Sequence, residues 1–71
     1  MTDEERAEIR KAILLVYEAE KEKGYNAIDQ MVGYLATGEP SYITNNRDAR
    51  RILARFDRDD LLDELLTAYI G

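Results

Sequence analysis

Residues 2–24 read TDEERAEIRKAILLVYEAEKEKG, and this stretch carries the marks of a complete helix from first cap to last turn. Thr2 followed three residues later by Glu5 is a capping box, in which each side chain satisfies the other residue's backbone N–H. Asp3, Glu4 and Glu5 place negative charge at the positive end of the helix dipole. Ile9, Ala12, Ile13, Val16 and Tyr17 then fall at helical spacing, and Leu14 and Leu15 widen that apolar face. Lys21 and Lys23 suit a last turn, and Gly24 suits a stop. The signature predicts a helix over about 3–23.

Working outward, Asn26 is a good cap for a second helix over 26–37, with Gly38 just past its end. Ile28, Met31, Val32 and Leu35 form its apolar stripe. Gly33 inside that stripe costs ~1 kcal/mol against alanine, so it is expected to allow a close helix approach. Pro40 turns Glu39 away from helical angles, and the apolar Tyr42 and Ile43 are expected to pin this turn to the core. Asn45 or Thr44 can cap a third helix over 46–56, with Ala49, Ile52, Leu53 and Phe56 inward. Asp57 can cap a fourth over 58–70. The reading is an all-α, compact four-helix domain spanning 1–71.

A chain of this size buries only about 60% of its unfolded surface, so its core is marginal without an addition. There is no cysteine and no histidine, which removes disulfides, thiolates and imidazoles. No Asp/Asn/Gly loop of the calcium-binding kind is present, so no metal or cofactor is expected. Self-association remains. Leu61, Leu62, Leu65, Leu66, Tyr69 and Ile70 give the last helix two adjacent apolar stripes, more than one small core needs. The fold is therefore expected to be completed by homodimerisation, with Leu62, Leu65, Leu66 and Tyr69 as the candidate seam.

The net charge of −5 opposes general affinity for nucleic acid. No apolar run approaches the length of a membrane span and no signal peptide precedes the first helix, so no membrane insertion and a cytoplasmic location are expected. Nucleophilic catalysis lacks its usual base. The carboxylate pairs Asp59/Asp60 and Asp63/Glu64 sit at the start of an amphipathic helix, where solvated acids favour the dipole. Neither a P-loop nor a GxGxxG pattern occurs. An enzyme is not expected.

Residues 44–58 break the acidic trend, with five arginines against Asp48 and Asp57. Arg47, Arg50, Arg51 and Arg55 lie at helical separations and form a candidate anion or partner surface. The competing reading is ion pairing with the acidic residues 59–64, within the chain or between subunits. Tyr34 and Tyr42 form a candidate recognition surface, or else complete a core that has one phenylalanine and no tryptophan. Thr2 is a candidate phosphoacceptor as well as a plain cap. A second functional class is a helix-turn-helix-like nucleic-acid module, with Arg47, Arg50 and Arg51 reaching a groove. Its joint is longer than the usual turn of about three or four residues.

The ordered series Glu22-Lys23-Gly24-Tyr25-Asn26, Gln30-Met31-Val32-Gly33-Tyr34-Leu35 and Gly38-Glu39-Pro40-Ser41-Tyr42-Ile43 resembles the IreB family of small regulatory phosphoproteins of Gram-positive bacteria. Asp48-Ala49-Arg50 and Arg58-Asp59 continue the likeness, which covers roughly residues 12–70. The resemblance implies a cytosolic helical homodimer without enzyme activity. It also implies a substrate of a transmembrane Ser/Thr kinase and its partner phosphatase, in cell-envelope stress signalling and antibiotic tolerance, with an unknown downstream protein partner. Ala27 stands where the family pattern has proline. The family carries its phosphoacceptor threonines in an N-terminal tail, and Thr2 is the N-terminal candidate here, outside a matching motif.

Overall fold

Four α-helices build the structure, a computed structural model that describes residues 1–71: α1 (Asp3–Glu22), α2 (Ala27–Thr37), α3 (Ala49–Ala54) and α4 (Arg58–Ile70). Two 3-10 turns, Pro40–Tyr42 and Asn46–Asp48, lie between α2 and α3. The capping box forms as the sequence requires. Glu5 N donates to Thr2 Oγ1 at 3.1 Å and Thr2 N donates to Glu5 Oε1 at 2.9 Å. Asn26 caps α2 by accepting from Asp29 N at 3.1 Å. Gly38 ends it in the left-handed region at φ 76°, its N–H donating to the Tyr34 carbonyl. Asp57 starts α4 through its backbone carbonyl, which accepts from Asp60 and Leu61, while its side chain makes no capping bond.

The core is the inward stripe of α1, with the other elements packed on it. Ile9, Val16 and Ala19 meet Tyr34 of α2, Ile43 of the connection, Ala49 and Leu53 of α3, and Leu61 of α4. Ala19 and Ala49 are fully buried, and their short side chains let α1 and α3 come close. The Cα radius of gyration is 11.4 Å, near the ~11 Å of a compact chain of this length. Only 12 of 71 residues are buried, so the core is thin.

The 3-10 turn at Pro40 explains two features of the sequence. Ile43 is wholly buried and anchors the turn, and Gln30 Nε2 donates to the Tyr42 carbonyl at 3.0 Å. The Tyr42 ring lies on Gly33, where a Cβ would come within 2.5 Å of it. Gly33 therefore admits an aromatic ring from a turn, not a second helix as the sequence suggested.

The third helix is shorter than the expected 46–56. Arg47 and Asp48 adopt left-handed backbone angles, φ 56° and 62°, and α3 begins only at Ala49. Such angles cost about 1–2 kcal/mol per residue for a side chain like arginine. Tertiary bonds offset this. Asn46 Nδ2 donates to the Ala19 carbonyl at 3.0 Å and to Glu22 Oε1 at 2.8 Å, drawing the chain onto the end of α1. Thr44 Oγ1 accepts from Asn46 N, and the Thr44 carbonyl accepts from Arg50 N.

Candidate partner-binding surfaces

The predicted arginine surface does not form as one face. Arg47 pairs with Glu22 of α1 at 3.4 Å, and Arg51 pairs with Asp48 three residues before it. Arg55 lies against the Phe56 ring, 5.6 Å from its centroid. Arg50 turns its Nε inward to the Ile43 carbonyl at 2.8 Å and meets no carboxylate. Pairing of these arginines with residues 59–64 of the same chain does not form either. The acids of α4 that form ion pairs do so with α1, and the arginines of residues 47–55 take other partners. Arg58 donates to the Leu35 carbonyl at 3.1 Å, placing positive charge at the negative end of α2.

The α1–α4 pairing is the strongest electrostatic feature. Arg6 bonds Asp63 at 3.1 Å and Glu64 at 3.0 Å, and Arg10 bonds the second Glu64 oxygen at 3.2 Å. Glu64 is 3% exposed. The Arg6 guanidinium holds its carboxyl below the ordinary range, against the opposing effect of burial, with help from Arg10. Asp63 is also lowered, first by the Thr67 hydroxyl and then by Arg6. Arg6 is raised in return by Glu64 and Asp63. Glu5 is lowered by the Thr2 bonds of the capping box.

Glu20 is the second buried carboxylate. Its Oε1 accepts from Thr44 N at 2.7 Å, fastening the connection to α1, and its Oε2 has no hydrogen-bond partner. The sequence reading did not single out Glu20, and it took Glu64 as a solvated acid of the helix start, which its burial corrects. The signal was present: Glu20 lies four residues after Val16, and Glu64 three after Leu61, each on a core-facing stripe.

Tyr34 is 7% exposed and belongs to the core, so it is no part of a recognition surface. Its position in the α2 stripe, three residues after Met31, turns it onto α1. Tyr42 is 37% exposed and remains on the surface. Thr2 sits at the first cap with its hydroxyl engaged by Glu5 N. No group of three or more acidic side chains converges to hold a metal ion.

The apolar surface is larger than the sequence alone indicated. Leu62, Leu65, Leu66 and Tyr69 are all exposed, Tyr69 to 90%. Leu65 also lines an apolar groove of about 440 Å³ with Ile13, Leu14 and Tyr17 of α1 and Ile28, Met31, Val32 and Leu35 of α2. No charged side chain lines it. The face of α4 thus continues onto α1 and α2.

A family described as IreB regulatory phosphoprotein matches the chain over residues 1–71. This chain belongs to the IreB family. IreB relatives among curated sequences carry the name UPF0297 protein. That of Ruminiclostridium cellulolyticum is 48% identical over 68 residues, covering 96% of this chain and 77% of the relative. That of Acetivibrio thermocellus is 51% identical over 63 residues, covering 89% and 70%. That of Clostridioides difficile is 46% identical over 68 residues, covering 96% and 80%. Membership of IreB makes this an all-helical member of a regulatory phosphoprotein family. No helix is long and apolar enough to cross a membrane. The nucleic-acid alternative gains no support: residues 38–48, with both 3-10 turns, separate α2 from α3 in place of a tight turn.

Proposed function

We propose that this chain is a non-catalytic cytoplasmic regulator that acts as a homodimer through protein–protein binding. In this reading it is a substrate of a transmembrane Ser/Thr kinase and its phosphatase, in cell-envelope stress and antibiotic-tolerance signalling. The observation that carries the dimer is the continuous apolar face of α4, α1 and α2 beside a thin core. Contiguous exposed apolar surface on so small a protein marks an interaction site. Leu62, Leu65, Leu66 and Tyr69 form its α4 half. Self-complementary packing of that face is the simplest way for one chain to cover it. Support for the regulatory role is the family match to a regulatory phosphoprotein, together with a residue set lacking cysteine and histidine.

Thr2 is the proposed phosphoacceptor, at a helix N-terminus where a phosphate finds the positive end of the dipole. The test is incubation of the purified chain with ATP and the host's transmembrane Ser/Thr kinase domain, with site mapping by mass spectrometry. Phosphate on Thr2, lost in Thr2→Ala, is the expected result. A chain that acquires no phosphate under conditions where the kinase phosphorylates itself refutes the substrate role.

A further inference from the structure

The end of α1 and the two 3-10 turns enclose a polar concavity of about 670 Å³. Its lining includes Lys23, Tyr25, Gln30, Tyr42, Asn45 and Arg50, and no acidic residue lines it. Glu20 and Glu22 at the end of α1 do not line it: Glu20 turns Oε1 to Thr44 N and keeps Oε2 buried without a partner, and Glu22 is held by Asn46 and Arg47. Arg50 spends only its Nε on the Ile43 carbonyl, which fixes the plane of its guanidinium and leaves both terminal nitrogens without partners. The Lys23 side chain makes no hydrogen bond or ion pair, its backbone N–H alone being used at the end of α1. By contrast, the other cleft with two cations, Lys11 and Arg55, contains Glu8.

We infer that this concavity receives a phosphate monoester carried on a hydroxyl side chain of another protein segment. A guanidinium held through its Nε, with a second cation lining the same concavity, suits a doubly charged, three-oxygen anion better than a single carboxylate. Tyr25, half exposed, and the outer side of the Tyr42 ring that packs on Gly33 offer apolar surface for the residues flanking the phosphate. The volume exceeds what a free phosphate fills and falls within the range of about 300–1,000 Å³ typical of ligand sites. Thr2 lies at the opposite end of α1, about 30 Å away at 1.5 Å per residue. A phosphate on Thr2 therefore cannot reach the concavity of its own chain, and the ligand comes in trans. The inference does not depend on the chain itself being phosphorylated, so it survives a failure of the kinase-substrate reading.

The test is a titration of the full chain followed by backbone amide NMR, with inorganic phosphate, a glycine-flanked phosphoserine peptide and its unphosphorylated twin. Expected are saturable shifts at Lys23, Tyr25, Asn45 and Arg50 with phosphate, absent with chloride at equal ionic strength. The phosphopeptide should bind about tenfold tighter than free phosphate, and Lys23→Gln or Arg50→Gln should weaken it about tenfold, the equivalent of one charge-assisted contact. Arg50 also supports Ile43, so the Lys23→Gln result decides if Arg50→Gln unfolds. Shifts centred on Arg47, Arg51 or Arg55, or undiminished binding by Lys23→Gln, overturn the site. Equal affinity for phosphate and phosphopeptide overturns the segment as ligand and leaves a free-anion site.

Discussion

Replacing Gly33 by alanine is expected to destabilise the fold, although alanine is the better helix former. The helix term alone favours Gly33→Ala by ~1 kcal/mol. Against it stands the Tyr42 ring, three of whose carbons lie 2.5–2.9 Å from the position of the new Cβ. The ring must swing off α2, since its backbone is fixed by Gln30 and by buried Ile43 next to it. Overpacking of this kind costs typically about 1–3 kcal/mol, so the net loss is about 1 kcal/mol. The sign should reverse in a Tyr42→Ala background, where the obstacle is gone and alanine stabilises by ~1 kcal/mol. Urea unfolding followed by far-UV circular dichroism, at one fixed protein concentration, measures all four corners of the cycle. Stabilisation by Gly33→Ala in the presence of Tyr42 refutes the docked ring.

Further consequences follow from the buried acids and the first cap. Glu20→Ala leaves the part-buried Thr44 N–H without its acceptor and should cost about 1 kcal/mol in chemical unfolding, whereas Glu20→Gln keeps the acceptor and loses less; equal losses contradict the bond's role. Glu64 and Asp63 have carboxyls held below their usual values, so their stabilisation is complete above the unfolded values of 4.5 and 3.8 and is lost as pH falls through the lower folded ones. Thermal midpoints should therefore drop below about pH 4.5, more steeply in the wild type than in Glu64→Gln, and parallel profiles would refute the pairing's contribution. Thr2→Ala should remove ~1 kcal/mol by deleting the cap, read as a lower thermal midpoint, while Thr2→Asp restores most of it.

Local rules carried most of the fold, and tertiary geometry decided what they could not. Thr2, Asn26, Gly38 and Pro40 act as caps and breaks where backbone chemistry demands them, and those demands are visible in a single sequence. The start of α3 was hidden because arginine at 47 does not announce left-handed angles and the tolerance of Asp48 for them is a weak signal alone; the bonds from Asn46 to α1 hold the chain there. The arginines illustrate the same division. Their helical spacing suggested one face, yet Glu22, Asp48, the Ile43 carbonyl and the Phe56 ring draw them in four directions. Spacing cannot foresee partners on other elements. Tyr34 was ambiguous because a tyrosine on an apolar stripe reads equally as core or contact, and packing against α1 settles it. The apolar stripe of α4 was plain in residues 61–70, but its extension across Leu14, Ile28 and Val32 needed the helices to be placed side by side.

The most direct test of the account is the native mass in solution by light scattering, down to low micromolar protein, for the wild type and Leu65→Asp. A concentration-stable mass of twice the chain's 8.2 kDa is expected for the wild type. A monomer or an unfolded chain is expected for Leu65→Asp. A compact, fully helical wild-type monomer, or a well-folded dimer of Leu65→Asp, contradicts it.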